Sequence, residues 1–379
     1  LRIRPTLNTR RRRPEVPTPT QPSMPRPTVV ALYLPQYHPI PENDEWWGKG
    51  FTEWTNVTKA VPLYRGHAQP NLPADLGFYD LRLPETRAAQ AELAKAHGVD
   101  AFCYYHYWFG NGRRLLERPF EEVLQSGEPD FPFMLCWANQ TWSGVWHGLS
   151  NHVLIEQQYP GRADHEAHFR CVLRAFKDPR YLRVKGKPVF KIYRPTELPD
   201  AGATITLWQQ MAREAGLPGI YFLATNSDPA WDSRSHGFDA YVKVPRLQRR
   251  RGWVPWNRPM EKLRNKWLDL TGKPTVLNYA QQIDNVVPLA AADDVIPCVM
   301  PNWDNTPRSG PRGLVIEGST PHLFGLQLQR ALALCARRKS ADNLLFVKSW
   351  NEWAEGNHLE PGRVFGHGYL EKLKSMLTA

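Results

Sequence analysis

Short apolar segments alternate with helical patterns along most of this 379-residue chain, and this alternation limits the folds open to it. Several of the segments are apolar throughout, as parallel strands covered on both faces are. Eight such strands in roughly 350 residues favour an α/β fold, a (β/α)8 TIM barrel with long βα loops, and a doubly wound open sheet is the alternative. The predicted strands are Val29–Leu34, Val99–Tyr105, Phe133–Trp137, Pro188–Ile192, Ile220–Ala224, Ala240–Val244, Val295–Met300 and Leu344–Lys348.

Helices are predicted between these strands. Pro84 and Pro321 stand where a first helical turn tolerates proline, and Gly98 and Gly216 stand where helices commonly end. The predicted helices are Pro84–His97, Glu117–Gln125, Ala163–Phe176, Ile205–Ala215, a short one near Ala230–His236, Pro321–Arg338 and Tyr369–Leu377.

The basic charge is confined to two segments. Residues 1–28 carry +6 and residues 243–273 carry +8, so the rest of the chain carries −3 of the net +11. We interpret residues 1–27 as a disordered Pro/Arg-rich linker, 28–379 as one folded domain, and about 245–273 as a basic, Trp-containing insertion. A linker at the start suggests a domain of a longer protein, and the slightly acidic body argues against nucleic acid as a partner.

Five cysteines are widely spaced and form no CxxC motif, which indicates free thiols and neither disulfides nor a zinc site. The sequence contains no signal-peptide pattern and no run of about 18 apolar residues. Free thiols fit a reducing compartment. The localisation is otherwise open, with the cytoplasm favoured.

Polar and aromatic clusters follow five of the predicted strands. The C-terminal ends of barrel strands meet at one rim, which is where enzymes of this fold carry their chemistry. We therefore expect the clusters to surround one site, although ordinary loop residues would explain any single one of them. The clusters are Pro35–His38, His106–Phe109, Ala138–Trp142, Asn302–Asn305 and Ser349–Glu360.

Two carboxylates three residues apart, Glu352 and Glu355, follow the last predicted strand. If the segment turns helically, their Cβ atoms lie about 5–6 Å apart. Cleavage of a glycosidic bond uses one protonated and one ionised carboxyl, about 5–5.5 Å apart in retaining enzymes. Trp350 and Trp353 would raise the pKa of one glutamate by desolvation. A solvated acidic turn, or a divalent-metal site that includes Glu360, is the alternative.

The aromatic content points to the same class of substrate. The chain has 15 Trp, 14 Tyr and 15 Phe, and many flank predicted strand ends. Sugar rings have apolar faces and polar rims, so indole faces with Asn, Gln, His and Glu between them suit an oligo- or polysaccharide. Aromatic walls also stack nucleic-acid bases, but the −3 charge of the body compensates phosphates poorly.

Long motifs resemble, in order, the WbsX-like family, a glycoside hydrolase family 99-like group of bacterial surface-polysaccharide loci whose members are often named glycosyltransferases. The resemblance spans about residues 28–375 and implies a (β/α)8 catalytic domain without a metal or nucleotide cofactor. The motifs are Val30–His38, Gly50–Val57, Leu76–Arg82, Tyr104–Phe109, Met300–Arg308 and Glu352–Glu355.

The resemblance also implies roles for the two glutamates. In family 99 endo-α-mannosidases the first glutamate of the similar motif assists the sugar's own 2-hydroxyl as internal nucleophile, and the second is the acid/base. On this chain Glu352 would deprotonate the 2-hydroxyl, and Glu355 would protonate the leaving oxygen and then activate water, with retention of configuration. Gln140 and His147 stand where relatives usually carry acidic residues, a departure that bears on substrate identity and activity.

Further sugar contacts are predicted from the rim clusters, and for each a structural role is the alternative. With Glu352 and Glu355 as the catalytic pair, the predicted substrate-binding residues are Tyr33, Gln36, Tyr37, His38, Glu53, Trp54, His106, Tyr107, Trp108, Trp137, Asn139, Gln140, Trp303, Asp304, Trp350, Asn351, Trp353 and His358.

The insertion combines Arg249–Arg251 with Trp253, Trp256 and Trp267. Such a segment suits a peripheral contact with an anionic membrane or a lipid-linked glycan, and a solvated loop is the alternative.

Three functions remain: a retaining glycosidase or transglycosylase, a glycosyltransferase of polysaccharide biosynthesis, and a non-catalytic glycan-binding domain. A nucleotide-sugar transferase usually has a diphosphate-binding motif or a metal-binding acidic motif, and the sequence shows neither. The presence of both glutamates favours an enzyme over a binding domain.

Overall fold

A parallel sheet of nine strands, nearly closed into a barrel, forms the core of the computed structural model, which describes residues 26–144, 153–226, 231–244, 266–267, 270–338 and 342–378. This confirms the predicted (β/α)8 barrel. The strands are β1 (Thr28–Tyr33), β2 (Ala101–Trp108), β3 (Phe133–Trp137), β4 (Lys187–Ile192), β5 (Tyr221–Asn226), β6 (Ala240–Lys243), β7 (Val295–Ile296), β8 (Cys298–Val299) and β9 (Leu344–Val347).

The strands follow one another around the sheet in the order β7-β6-β5-β4-β3-β2-β1-β9-β8. β7 pairs with β6, and β8 pairs with β9, which in turn pairs with β1, so the ring passes from β7 to β8. Only Pro297 separates these two strands, and it has no N–H to donate to a ladder. Together they fill the seventh of eight barrel positions, which the sequence predicts as the single strand Val295–Met300.

Helices cover the outside of the barrel. Most predicted helices are present with ends shifted by one residue, but the helix predicted from Ile205 begins at Ala201, where Asp200 accepts a hydrogen bond from the Ala203 N–H (2.8 Å). The helix predicted near Ala230–His236 is a single 3₁₀ turn. The helices are α1 (Pro41–Trp47), α2 (Glu53–Lys59), α3 (Pro84–Ala96), α4 (Arg118–Ser126), α5 (Arg162–Lys177), α6 (Ala201–Glu214), α7 (Tyr279–Val286), α8 (Thr306–Ser309), α9 (Pro321–Arg337) and α10 (Gly368–Thr378), with 3₁₀ turns at Pro195–Glu197, Arg234–His236, Gly310–Arg312 and Trp353–Glu355.

Short strands in the loops shape the rim. Trp142–Ser143 pairs with Val153–Ile155, and Asn351–Glu352 pairs with Asn357–His358. The remaining short strands are Arg114–Leu115 beside β2, Arg183–Val184 beside β4, and a three-stranded sheet of Thr275–Asn278, Leu314–Glu317 and Trp303–Asp304.

The side chains between the sheet and its helices are large and aromatic. Trp208 on α6 is fully buried against Phe190 of β4 and Phe169 and Phe176 of α5, with ring centroids 5.0 to 6.4 Å apart. Buried aromatic side chains of this size dominate core energetics, so this packing holds α5 and α6 on the barrel.

All five cysteines are free, and four of them are buried. Within the described ranges no helix is both long and apolar enough to cross a membrane. Residues 1–25 of the predicted linker, His147, and Arg249–Arg251 with Trp253 and Trp256 of the insertion lie outside the described residues.

Candidate active site

The two glutamates lie on a tight turn at the C-terminal end of the barrel. After β9 the chain forms a 3₁₀ turn over Trp353–Glu355 and returns through Gly356 in the left-handed region (φ 58°). A Cβ at Gly356 would come within 3.0 Å of the backbone of Asp304, so a glycine is needed for both space and conformation. The sequence predicts a helical turn through both glutamates; the structure has Glu352 at the end of the short strand Asn351–Glu352 and Glu355 in the 3₁₀ turn that follows.

Hydrogen bonds tie this turn to β1. The Asn351 amide accepts from the Leu34 N–H (2.8 Å) and donates to the Leu34 carbonyl (3.0 Å). The Tyr37 hydroxyl donates to the Asn351 carbonyl and accepts from the Trp353 N–H (3.2 Å). The Ser349 hydroxyl accepts from the Glu352 N–H (3.0 Å). These bonds fix the backbone from which both carboxylates project.

A buried carboxylate, Glu360, supports the turn from behind. It accepts hydrogen bonds from the Trp353 indole (2.6 Å), the Tyr79 hydroxyl (2.8 Å) and the Gln90 amide (2.6 Å). The His358 ring stacks on Trp353 with centroids 3.6 Å apart. Glu360 is thus a structural group, and it does not join Glu352 and Glu355 in a metal site: the described residues contain no His/Cys/Asp/Glu cluster suited to a metal ion.

Both glutamates open onto a cavity of about 360 Å³ at the C-terminal rim. This is within the range of pockets that hold small ligands. The walls are mostly aromatic and aliphatic, and charged groups are concentrated at one end. The lining residues are Leu34, Gln36, Trp47, Glu53, Tyr105, Tyr107, Ala138, Gln140, Trp142, Ser143, Leu154, Tyr193, Val244, Met300, Trp303, Arg308, Lys348, Glu352 and Glu355.

Arg308 joins two of the cavity's carboxylates. Its guanidinium donates to Glu53 through Nε (3.1 Å) and Nη2 (2.9 Å), and to Glu355 through Nη1 (2.7 Å). Lys348 approaches Glu355 from another direction, with Nζ 3.9 Å from the carboxylate and 4.5 Å from the centre of the Trp303 ring. The cavity therefore contains two cations and three carboxyl groups.

These charges separate the pKa values of the two glutamates. Burial raises the pKa of Glu352, and the neighbouring charge of Glu355 raises it further. Burial alone would also raise the pKa of Glu355, but Arg308 and Lys348 outweigh burial and lower it. Among the described residues no donor reaches the buried Oε2 of Glu352, whereas a proton shared with Glu355 would satisfy it. The unliganded pair therefore favours one proton, held on Glu352, beside an ionised Glu355.

Seven of the residues predicted from sequence line this cavity, and they lie at the ends of five barrel strands or in the segments that follow them. They are Gln36, Glu53, Tyr107, Gln140, Trp303, Glu352 and Glu355.

Three aromatic residues predicted as sugar contacts lie instead in a buried cluster around His168. His106 forms a 2.9 Å contact between ring nitrogens with His168, and Trp108 stacks on the same ring. Trp137 packs on its edge and donates to the Trp108 carbonyl (3.0 Å). Side chains on a barrel strand alternate between the interior and the helices, so only Tyr105 and Tyr107 of this run face the cavity.

The remaining predicted contacts do not line the cavity either: nearly all are buried, and most use their polar atoms inside the protein. Asp304 accepts from His67 (2.8 Å), Gln69 (2.5 Å) and Thr306 (2.6 Å). The Asn139 amide donates to the carbonyl of Arg194 and accepts from its N–H. Tyr33 donates to Gln90, His38 contacts the Pro35 carbonyl, and Trp54 donates to the Tyr79 carbonyl. The others belong to the turn or to the residues that support it: Tyr37, Trp350, Asn351, Trp353 and His358.

Sequence reasoning missed the two cations of the site. Lys348 is the last residue of the predicted strand Leu344–Lys348. A charged residue at the end of a fully apolar strand is a sequence signal that could have identified it as a site residue. Arg308 ends the motif Met300–Arg308, but nothing in its local sequence indicates that it meets Glu53 and Glu355, which are far away in the chain.

Residues 29–373 match the family model described as Glycosyltransferase WbsX. The chain belongs to the WbsX family. Two curated relatives, both described as uncharacterized protein WxcX, from two strains of Xanthomonas campestris pv. campestris, are 39% identical over 353 residues, which is 93% of this chain. This chain spans about half (50%) of the length of those relatives.

Solved structures with the same fold include glycoside hydrolases. The GH99 endo-α-mannosidase from Bacteroides thetaiotaomicron, solved with bis-tris propane, matches with a TM-score of 0.55 and 13% identity, covering 94% of this chain and 98% of the other. A protein described as glycoside hydrolase-like matches with a TM-score of 0.56 and 15% identity, covering 96% and 97%. At these identities the likeness establishes the fold, which is that of GH99 barrels.

Proposed function

We propose that this WbsX-family domain is a carbohydrate-active enzyme that breaks glycosidic bonds of a bacterial surface polysaccharide, with Glu352 and Glu355 as the catalytic pair. One observation carries the proposal: two buried carboxyls with oppositely shifted pKa values share one aromatic-walled cavity. Two carboxyls whose environments push their pKa values apart are suited to act as acid and base. The GH99-like fold and the WbsX family support a saccharide as the substrate.

The proposed chemistry is retaining and uses the sugar's own 2-hydroxyl. A carboxylate takes the 2-hydroxyl proton as that oxygen attacks the anomeric carbon. The bond to the leaving oxygen breaks, and the second carboxyl gives this oxygen its proton. Water, or the hydroxyl of another sugar, then attacks the anomeric carbon and gives its proton to the second carboxylate, while the bond to the 2-oxygen breaks and the first carboxyl returns the proton to that oxygen. Hydrolysis and transglycosylation differ only in this acceptor.

The identity of the proton donor follows from where the single proton lies. Similarity to family 99 assigns the donor role to Glu355, whereas Arg308 and Lys348 favour the proton on Glu352 in the unliganded protein. The family assignment therefore requires the proton to move from Glu352 to Glu355 when a sugar hydroxyl binds beside Glu352. A hydrogen bond between the two carboxyls, which contributes to the pKa shifts of both, gives a path for such a transfer.

The first experiment is a product-release screen on purified bacterial surface polysaccharides, with wild-type protein beside Glu352→Gln and Glu355→Gln. We expect oligosaccharides with retained anomeric configuration from wild type and a loss of at least about 10²-fold in each variant, the scale of general acid–base catalysis. Release that persists in both variants contradicts the catalytic pair.

An activated substrate then identifies the donor. An aryl glycoside with a good leaving group needs no proton, so it restores turnover to the variant that lacks the donor and not to the variant that lacks the base. Recovery of Glu355→Gln supports transfer of the proton within the pair, and recovery of Glu352→Gln supports the assignment in the unliganded protein.

A glycosyltransferase is the second candidate, and the description of the family model favours it. The cations Arg308 and Lys348 beside the glutamates would suit a phosphate leaving group. Incorporation of label from a sugar nucleotide or sugar phosphate into polysaccharide, without release of oligosaccharide, would support this candidate over the hydrolase.

A further inference from the structure

The Lys348 ammonium is a buried hydrogen-bond donor that has no hydrogen-bond acceptor among the described residues. Its side chain is 10% exposed, and it lines the cavity. In the part of the chain that the structure describes, Nζ donates no hydrogen bond: its contacts are the Trp303 ring at 4.5 Å and Glu355 at 3.9 Å. An ammonium taken out of water needs both hydrogen bonds and an opposite charge, and neither of these contacts supplies a hydrogen bond.

The nearest carboxylate, Glu355, is shared with a second cation. Glu355 accepts a 2.7 Å hydrogen bond from Arg308, which also binds Glu53. Glu352 favours its neutral form, so it adds little negative charge near Lys348. A sugar that fills the cavity would exclude solvent from Nζ. The ammonium would then keep its charge with fewer partners, unless the ligand brings an acceptor.

We propose that Lys348 binds an anionic oxygen of the saccharide substrate, a carboxylate or a phosphate, and thereby selects acidic glycans. This inference rests on the proposed function, because it assumes that the cavity takes a sugar. The indole of Trp303 lies beside the ammonium, so a sugar ring stacked there would carry its acidic group next to Nζ. A neutral hydroxyl could accept a hydrogen bond but would add no negative charge beside the ammonium, which shares Glu355 with Arg308.

An anionic substituent in this position also fits the acid–base pair. Negative charge near the glutamates disfavours ionisation of Glu352 and so keeps the proton that the pair needs. Lys348 in turn screens that substituent from Glu355. Recognition and protonation would therefore depend on the same ammonium.

The test measures binding, which needs no turnover. Saturation-transfer NMR titrations give dissociation constants for glucuronate, galacturonate, glucose 1-phosphate and mannose 1-phosphate, and for glucose, galactose and mannose. The variants are Lys348→Met, Lys348→Arg and, as a matched loss of one charge on the surface, Lys95→Met on α3. Circular dichroism and thermal denaturation check that each variant is folded.

We expect wild type to bind at least one acidic sugar about tenfold more tightly than its neutral counterpart, Lys348→Met to lose this preference, and Lys348→Arg and Lys95→Met to keep it. Preference for the uronates identifies a carboxylate, and preference for the sugar phosphates identifies a phosphate. No preference in wild type, no binding of any acidic sugar, or a preference that survives in Lys348→Met overturns the inference.

The two proposals fail differently. If the protein binds acidic sugars through Lys348 but neither cleaves nor transfers any glycan, the proposed function fails and the binding inference stands. If it acts on a neutral polysaccharide and Lys348→Met retains both KM and sugar affinity, the proposed function stands and this inference fails.

Discussion

Arg308→Met tests the charge arrangement of the site without knowledge of the substrate. Arg308 neutralises Glu53, whose side chain is 1% exposed, and Glu355, whose side chain is 12% exposed. Removal of one partner from a buried ion pair typically costs about 3–5 kcal/mol, because the other charge stays buried without compensation. Lys348 remains near Glu355, so most of the expected loss comes from Glu53.

The corresponding change in melting temperature can be worked out. Unfolding entropy is about 2.1 cal/mol/K per residue, or roughly 0.7 kcal/mol/K for a domain of about 350 residues. A loss of 3–5 kcal/mol then lowers the melting temperature by about 4–7 °C.

The assay is differential scanning calorimetry of three variants beside wild type. Arg162→Met is the matched control, because its pair with Glu166 is solvent-exposed at the arginine (71%) and should cost less than about 0.5 kcal/mol. Glu53→Gln combined with Arg308→Met should recover most of the loss, since neither charge is then left alone. A melting temperature of Arg308→Met within about 1 °C of wild type, or no recovery in the double variant, refutes the reasoning.

Three other outcomes are expected. Wild type should lose stability relative to Glu352→Gln as the pH rises from 4.5 towards about 8, because the raised pKa of Glu352 makes the folded state bind the proton more tightly than the unfolded state in that range. Urea unfolding at pH 5 and pH 8 measures this loss, and equal changes of stability in both proteins contradict the prediction. Trp208→Ala should cost roughly 3–5 kcal/mol in urea unfolding through loss of buried ring contacts, and a cost below about 1 kcal/mol would disprove the packing. Glu360→Gln should lower kcat more than KM, because its amide N–H₂ opposes the Trp353 indole and disturbs the turn; an unchanged kcat contradicts this.

The barrel was predictable because its signals are local. Strands covered on both faces must be apolar along their whole length, so β2, β3 and β4 stand out in the sequence. The seventh strand is split at Pro297 because proline has no N–H to donate. When only hydropathy is considered, the two halves read as one apolar run. Short helices such as α2 and α8 were missed because tertiary contacts, such as those of Glu53 with Arg308, help to define them.

The site was only partly predictable, since the direction of a side chain depends on the register of its strand. Trp108 and Tyr107 are adjacent in sequence, yet Trp108 packs on His168 and Tyr107 faces the cavity. Aromatic content at strand ends therefore indicates the rim without separating the wall of the cavity from the packing behind it. Asp304 shows the same limit for polar residues, because donors from three residues inside the protein occupy its carboxylate.

The anion that we propose at Lys348 also bears on which reaction the proposed catalytic pair would perform. A hydroxyl leaving group needs a proton from Glu352 or Glu355, as hydrolysis of a polysaccharide requires. A phosphate leaving group is stable as an anion and needs only the ammonium and the guanidinium of Arg308 beside it. If Lys348 prefers sugar phosphates, loss of the proton donor should spare transfer from them, which fits the description of the WbsX family model. If it prefers uronates, the same loss should abolish release of oligosaccharides, and the GH99-like barrel then acts as a hydrolase on an acidic polysaccharide.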